Sequence, residues 1–213
     1  MLKIAFNNNY IHPLEENHRF PMIKYELIPE QLIRENTCSD KNFFKPEMID
    51  EKIVLKTHQL QYFDRLKKQK LSSKEIREIG FPLSKDLYIR EMTISKGTID
   101  CVNFSIDNGI SMNIAGGTHH AFYDRGEAFC MLNDQAIAAN YILDNGLGKK
   151  ILIIDLDVHQ GNGTASIFKN NNSVFTLSFH GKNNYPFRKE KSDLDIELND
   201  NTDDEIYLNL LKE

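Results

Sequence analysis

Cysteine is scarce in this sequence, and no two cysteines are close enough to form a C-x-x-C pair. The three cysteines, Cys38, Cys101 and Cys130, are widely spaced along 213 residues. An odd number of isolated thiols favours neither a disulfide framework nor a thiolate zinc site. We therefore expect a protein of a reducing compartment and predict a cytoplasmic location.

The sequence also lacks an excess of basic residues and any long apolar run. Its 26 lysines and arginines are outnumbered by 31 aspartates and glutamates, which gives a formal net charge of −5. Binding to nucleic acid or anionic lipid requires clustered positive charge, and a membrane-spanning helix requires about 18 or more consecutive apolar residues. We predict no direct nucleic-acid binding and no membrane association.

The hydrophobic residues, 40% of the chain, alternate between strand-like and helix-like spacing. This length and composition suit one large core, so we predict a single domain over residues 1–213. The predicted strands are Leu2–Phe6, Gly109–Ala115, Ile151–Ile154 and Ser173–Phe179. The predicted helices are Ile23–Arg34, Leu55–Leu71, Ser84–Val102 and Gln135–Leu143, the last capped by Asn133 and Asp134.

This alternation predicts the α/β class. Strands that alternate with helices form βαβ units, so we expect a three-layer α/β/α fold with a mainly parallel central sheet. The aliphatic run Ile151–Ile154 is typical of a strand buried on both faces. In such sheets, functional residues gather at the carboxyl ends of the strands.

The last residues predict a helix that has a start but no terminator. Thr202–Glu205 has the sequence of a capping box, and an apolar stripe follows it. No glycine or proline ends the helix before Glu213. We favour a domain that is incomplete at its C-terminus, and a C-terminal helix that frays is the alternative.

Three potential metal ligands follow the predicted strand Ile151–Ile154. In an extended chain, Asp155, Asp157 and His159 point to the same side. Carboxylate oxygen and imidazole nitrogen suit zinc or another divalent ion, and a catalytic zinc takes three protein ligands plus water. The alternative for an isolated pattern of this kind is two aspartates that cap a turn and a histidine that faces solvent.

A second polar cluster, Gly116–His120, makes the metal-site interpretation stronger. Its two glycines allow close approach of the backbone to a ligand. The adjacent rings of His119 and His120 provide one proton acceptor and one donor or electrostatic stabiliser. Together the two clusters predict a metal-dependent hydrolase.

Three segments carry a resemblance to a known family. They are Gly117–Ala121, Ala128–Asp134 and Ile154–Gly163. Together they resemble the histone deacetylase family of the arginase/deacetylase superfamily, and the His-Gln-Gly-Asn-Gly segment is similar to its class IV branch and to bacterial deacetylase-like proteins. His12-Pro13 and Ser178-Phe179-His180 also fall where the family has similar segments, so the likeness covers essentially the whole chain.

The resemblance implies roles for the polar residues of both clusters. Asp157 and His159 would be ligands of one catalytic Zn²⁺. Asp155 would orient His119, the electrostatic partner of His120, which would transfer the proton.

The resemblance also implies supporting roles around this centre. Asn162 would pair with His120, and Asp155 with Ser178 would help hold a structural K⁺. Gly117, Phe129 and Tyr185 would line a narrow channel for an acyl-lysine side chain. The expected partner is therefore an acylated lysine or an acetylated small amine.

The chain departs from the family pattern in a few places. Asn162 stands where much of the family has an aspartate, which should make His120 less basic, although the class IV-like branch shares this asparagine. Ala128 stands where glycine is usual, which could narrow the channel slightly. The family's third ligand, an aspartate, and the transition-state tyrosine of many members would lie beyond Glu213. We interpret the late carboxylates as solvated loop and helix-cap residues; they are Asp193, Asp195, Asp200, Asp203 and Asp204.

The function expected from this sequence is zinc-dependent hydrolysis of an amide by metal-activated water. An arginase-like two-metal site is disfavoured, because it would need an aspartate where Gly161 stands. An inactive fragment or an acyl-binding module remains as the second hypothesis. Of the other histidines, His58 is expected to be structural or exposed, His12 and His18 to lie near the floor of the site, and His180 to be a near-site candidate.

Overall fold

The computed structural model describes all 213 residues, 1–213. Its six strands are β1 (Lys3–Ala5), β2 (Phe43–Phe44), β3 (Ser111–Asn113), β4 (Ile151–Asp155), β5 (Val174–Gly181) and β6 (Leu194–Leu198). Its eight α-helices are α1 (Lys24–Arg34), α2 (Glu51–Val54), α3 (Leu60–Lys67), α4 (Ser73–Ile79), α5 (Lys85–Asn108), α6 (Asp134–Asp144), α7 (Asn162–Phe168) and α8 (Asp204–Lys212).

All strand pairs are parallel, and helices flank them, which confirms the predicted α/β class. The strands form two separate sheets of three, ordered β2-β1-β3 and β4-β5-β6, rather than one continuous central sheet. Consequently β3 and β4 each pair on one side only. The sequence prediction missed β2, which has only two residues, and β6, whose apolar residues alternate with carboxylates.

The prediction that β4 is buried on both faces is wrong. Ile153 is buried, but Leu152 and Ile154 remain 58% and 50% exposed. Ile153 packs with apolar residues of α6, α7 and β5, including Ala136, Phe168 and Val174. Successive strand residues point to opposite faces, and nothing covers the face that carries Leu152 and Ile154.

The predicted helix Leu55–Leu71 is shorter than expected, and only Leu60–Lys67 of that range is helical. Helix α2 ends at Val54, and α3 begins at Leu60. The buried ring of His58 occupies the break: its Nδ1–H donates to the carbonyl of Phe122, and its Nε2 accepts the backbone N–H of Asn133. A pair of long-range hydrogen bonds therefore overrides the local helical pattern.

Helix α6 begins as predicted, and α8 does not. The side chain of Asn133 accepts the N–H of Ala136 and caps α6. For α8, Asp203 is the N-cap and accepts the N–H of Ile206 at 2.9 Å. The hydroxyl of Thr202 donates instead to Asn199, so the predicted capping box does not form.

The main hydrophobic core lies around α5, a helix of 24 residues that contacts α3, α6, β1 and β3. It ends at Gly109, whose φ of 79° lies in the left-handed region that glycine adopts without strain. This core supports the loop that follows β3, and the second sheet places the loop that follows β4 beside it. The two polar clusters of the sequence meet between these loops.

Candidate active site

Asp155 and Asp157 lie on different kinds of backbone, contrary to the extended arrangement expected from the sequence. Asp155 is the last residue of β4, whereas Asp157 and His159 lie on the bend that follows it. The Oδ1 of Asp155 accepts the N–H of Asp157 at 3.1 Å, which bends the chain away from the sheet. The two aspartates therefore face different partners.

Asp155 binds His119. Its Oδ2 lies 2.5 Å from His119 Nδ1, and both side chains are about nine-tenths buried. Burial alone would lower the pKa of His119, but the hydrogen bond and the negative charge of Asp155 outweigh it and raise that pKa. Asp155 therefore holds the Nδ1 proton of His119 and favours the charged form of its ring.

His120 has the opposite electrostatic environment. Burial lowers its pKa to about 4, and the neighbouring charge of His119, with ring centroids 4.1 Å apart, contributes in the same direction. Its Nδ1 lies 2.7 Å from Asn162 Oδ1, an acceptor only, so Nδ1 carries the proton. Neutral His120 therefore keeps its lone pair on Nε2.

The carboxylate of Asp134 holds the loop that carries both histidines. It accepts the N–H groups of Gly117 and Thr118 and the hydroxyls of Thr98 and Thr118, at 2.6–3.0 Å for the shortest bond of each. Gly117 has a φ of 89°, which an L side chain rarely adopts. The loop is therefore fixed before any ligand binds.

Asp157 and His159 provide two donors of the kinds that zinc prefers. Asp157 Oδ1 lies 3.0 Å from His159 Nδ1 and accepts the N–H of His159 at 2.8 Å. Burial raises the pKa of Asp157, but the His159 N–H and the charge of His119 outweigh it and lower that pKa, so the carboxylate is ionised. Two ligands of one tetrahedral zinc lie about 3.3 Å apart, given bond lengths of about 2.0–2.1 Å.

A complete metal site is not formed within these residues. No group of three histidines, cysteines, aspartates or glutamates is placed to hold a metal ion. A catalytic zinc takes three protein ligands, so the donors present account for two of the three. Position 161 has no room for a side chain that could bind a second metal, because a Cβ on Gly161 would lie 2.2 Å from Asp155 Oδ2.

Asp157, His159 and both neighbouring histidines line one cavity of about 680 Å³. The predicted channel residues Gly117, Phe129 and Tyr185 also line it, together with the basic side chains of Arg19, Lys24 and Arg90. Asp155 and Asn162 stand behind the histidines and support them. The structure thus brings the predicted acid–base, ligand and channel residues together.

The wall of the cavity around Phe129 is a tight turn with unusual backbone angles. Ala128 and Phe129 have φ values of 43° and 66°, and Glu127 and Cys130 exchange two backbone hydrogen bonds of 2.9 Å across them. The N–H groups of both turn residues donate to the last carbonyls of α4. Alanine at position 128 therefore adds backbone strain to this turn, because its φ is positive. The guanidinium of Arg19 lies over the Phe129 ring at 4.9 Å.

Glu127 is a residue that the sequence analysis missed. Its Oε1 accepts the amide N–H of Asn162 at 3.1 Å and the hydroxyl proton of Tyr185. Burial and this contact with Glu127 raise the pKa of Tyr185. Nothing in the sequence marks Glu127, because its two partners lie 35 and 58 residues away.

The remaining predicted residues lie outside the cavity. Ser178 is the register partner of Asp155 on β5, and its hydroxyl contacts His180 Nδ1 at 3.0 Å. Neither contact tests the predicted K⁺ site, which stays a prediction. His12, His18 and His180 do not line the cavity, although Arg19 does.

Two of the late carboxylates interpreted as solvated loop residues have structural contacts instead, whereas Asp203 caps α8 as interpreted. Asp193 accepts the N–H and hydroxyl of Thr176, and Asp195 accepts an amide proton of Gln160 at 2.8 Å. Strand β6, which the sequence analysis missed, brings Asp195 beside the loop that follows β4.

None of the helices combines the length and apolar character needed to cross a bilayer.

The histone deacetylase domain matches residues 13–213. An uncharacterized protein of Picosynechococcus is 39% identical over 98% of this chain and 69% of its own length. Histone deacetylase 2 of Arabidopsis thaliana is 26% identical over 94% of this chain and 54% of its own length.

A solved structure of an HDAC homologue from Aquifex aeolicus has the same fold, with a TM-score of 0.82 at 22% identity, over 99% of this chain and 63% of its own. The chain thus spans about half to two thirds of the length of these relatives. The family domain matches most of the chain, and the alignment at 39% identity covers nearly all of it. This chain belongs to the histone deacetylase family.

Proposed function

We propose that this chain carries the acid–base centre of a zinc-dependent amidohydrolase that removes an acetyl or longer acyl group from a lysine side chain or a small amine. The observation that carries the proposal is the pair of adjacent histidines, His119 bound to Asp155 and His120 bound to Asn162, in one cavity with Asp157 and His159. Membership of the histone deacetylase family supports the same reaction class.

In this proposal His120 is the proton acceptor. Asn162 holds its Nδ1–H, so the lone pair on Nε2 is the one available to take a proton from the attacking water. The same nitrogen then returns a proton to the departing amine. Proton transfer by a positioned histidine contributes roughly 10²–10⁴-fold to rate.

His119 has an electrostatic role. Its charge is maintained by Asp155, so its ring is a fixed donor beside the place where negative charge develops on the amide oxygen. Because the positive charge is present before substrate binds, little reorganisation is required during the reaction.

Asp157 and His159 are the residues that would hold the zinc. A bound zinc polarises the amide carbonyl and lowers the pKa of water from 15.7 toward about 7. Because such a site takes three protein ligands, a third donor must join these two, and in the family resemblance it is an aspartate.

The cavity walls support an acylated amine as substrate. The rings of Phe129 and Tyr185 offer apolar surface to an alkyl stem, as expected of the predicted channel. The basic side chains of Arg19, Lys24 and Arg90 suit a departing carboxylate.

An acyl-binding module without turnover is the second candidate. The observation that favours it is the lack of any group of three potential metal ligands among the 213 residues. In that case the cavity would bind acylated amines, and no amide would be cleaved.

Two measurements distinguish these candidates. Zinc content and hydrolysis of a panel of acylated lysines and acetylated polyamines would be measured for this chain and for a version extended by whatever coding sequence follows position 213. We expect His120→Ala to abolish turnover while zinc stays bound, and Asp157→Ala to lose the zinc. Binding of the panel without cleavage in both versions would favour the binding module, and absence of zinc from both would refute the proposal.

The remaining expectations are part of the same proposal. We propose a single deacetylase-like domain over residues 1–213, a cytoplasmic location, and a structural K⁺ near Asp155 and Ser178. The three free thiols agree with a reducing compartment.

A further inference from the structure

The amide of Asn162 is held from three directions. Its Oδ1 accepts the Nδ1–H of His120 at 2.7 Å and the backbone N–H of Gly163 at 3.0 Å. Its Nδ2 donates to Glu127 Oε1 at 3.1 Å. Because a backbone N–H can only donate, the oxygen of Asn162 must face His120, and the amide nitrogen must face Glu127.

This arrangement places a negative charge two hydrogen bonds away from His120, on the far side of the Asn162 amide. Much of the family has a carboxylate in direct contact with the second histidine, and here that contact is a neutral amide. Glu127 lies on the far side of the amide, with its side chain only 22% exposed. Hydrogen bonds in a chain polarise one another, so an anion at Nδ2 increases the acceptor strength of Oδ1.

The same carboxylate also anchors the channel wall. The hydroxyl of Tyr185 donates to Glu127 Oε1, the oxygen that Asn162 contacts. The Tyr185 ring stands edge-on to His120 with centroids 5.1 Å apart. Backbone hydrogen bonds with Cys130 fix Glu127 at the base of the turn that carries Phe129.

We propose that Glu127 is a positioning residue for His120: through the amide of Asn162 it supplies the negative charge that this asparagine lacks, and it holds the proton of His120 on Nδ1. This inference rests on the proposed function for its kinetic consequence. Its structural consequence, the position of a proton on one ring, can be measured without turnover.

Substitutions of Glu127 separate charge from geometry. Glu127→Gln keeps an oxygen that can accept from both Asn162 and Tyr185, and it removes only the charge. Glu127→Ala removes the acceptor, so the Asn162 amide loses one of the contacts that orient it. Asp124→Asn is the control, because Asp124 carries the same charge on the same loop and contacts Arg125 but neither Asn162 nor Tyr185. Arg125 Nε also lies 3.8 Å from Glu127 Oε2, so this variant keeps the ion pair of Glu127 and removes only the competing one.

The first readout is the tautomer of His120, measured by nitrogen-15 NMR of histidine-labelled protein and assigned with His120→Gln. We expect the wild type and Asp124→Asn to hold the proton on Nδ1. In Glu127→Gln the Nδ1–H resonance should move upfield because its acceptor is weaker, and in Glu127→Ala both tautomers should appear. An unchanged His120 spectrum in Glu127→Ala would overturn the proposal whether or not the protein turns over substrate.

The second readout is turnover of an acylated lysine by the zinc-loaded protein. We expect kcat to fall about tenfold in Glu127→Gln and further in Glu127→Ala, within the range that a positioned base contributes, with KM changed less than kcat. If Glu127→Ala matches Asp124→Asn in kcat, the positioning role fails. If no variant and no wild type turns over, the proposed function fails, and the NMR result still decides the role of Glu127.

A double substitution tests the displaced charge directly. Asn162→Asp alone would place two carboxylates about 3 Å apart, which is unfavourable. Combined with Glu127→Gln, the new carboxylate would accept from both His120 and the new amide, so charge and hydrogen bonds are again matched. We expect the double variant to restore the Nδ1–H tautomer and to exceed both single variants in kcat. A double variant no better than the worse single one would contradict a shared charge.

Discussion

The buried histidine at the break between α2 and α3 should make the stability of this protein depend on pH. His58 is 1% exposed and accepts one backbone hydrogen bond while it donates another. Burial lowers its pKa from 6.5 to about 4. Since protonation of Nε2 would also break the bond from Asn133, the native state strongly favours the neutral ring.

The size of the effect follows from the two pKa values. The unfolded chain binds a proton near pH 6.5 and the folded chain only near pH 4, so stability is complete above pH 6.5 and falls as the pH drops between these values. This histidine alone should cost about 1 kcal/mol at pH 6, about 2 at pH 5 and about 3 at pH 4. Its contribution levels off only below about pH 3, where the ring is protonated in both states.

Urea unfolding of the wild type and His58→Gln at pH 7, 6, 5 and 4.5 tests this reasoning. At pH 7 the variant should be less stable by roughly 1–3 kcal/mol, because an imperfect fit leaves a buried backbone group without its partner. That difference should shrink as the pH falls, because the glutamine does not titrate. Between pH 7 and pH 5 the balance should shift by about 2 kcal/mol in favour of the variant.

Tyr62→Phe is the control for a lost buried hydrogen bond near His58. It removes the 2.8 Å bond from Tyr62 to the carbonyl of Met131 and leaves His58 in place. Its destabilisation should be the same at every pH. A gap between wild type and His58→Gln that stays constant from pH 7 to 4.5 would refute the proposed coupling.

Three further predictions concern the loops around the cavity. Ala128→Gly should raise stability by about 0.5 kcal/mol and the Tm by about 1–2 °C in calorimetry, because relief of a positive φ exceeds the entropy cost of glycine; a lower Tm would contradict the strained turn. Asp134→Asn should lower the unfolding free energy by about 2–4 kcal/mol in urea titration, since an amide cannot accept from all four donors that the carboxylate binds. A loss below about 0.5 kcal/mol would show that Asp134 does not anchor the loop. Burial raises the pKa of the Cys130 thiol, so a thiol reagent should label half-buried Cys38 first in the native protein and Cys130 only after unfolding, and rapid native labelling of Cys130 would argue against its burial.

The sequence contained enough information for the elements whose causes are local. The asparagine cap of α6 and the strand that ends at Asp155 follow from residues next to them in the chain. The pairing of the two polar clusters followed from the family resemblance and from the rule that strand ends gather functional residues. The family assignment made from those clusters is confirmed.

The errors arose where a distant partner decides the outcome. His58 interrupts a helical pattern because Phe122, 64 residues later, accepts its proton. Glu127 reaches Asn162 across 35 residues, and no local pattern marks such a contact. The exposure of Leu152 and Ile154 could not be read from an aliphatic run, because burial depends on what packs against each face.

The unpaired edge of β4 has a consequence for handling the protein. Its backbone N–H and C=O groups on that side form no ladder, and two exposed aliphatic side chains stand beside them. An edge of this kind is a template for strand exchange between molecules, which leads to oligomers and fibrils at high concentration. Lys149 and Lys150 immediately precede the strand and act as charged gatekeepers against such growth. The tendency of the protein to associate should therefore rise with ionic strength, because added salt screens the repulsion between the lysines of approaching molecules.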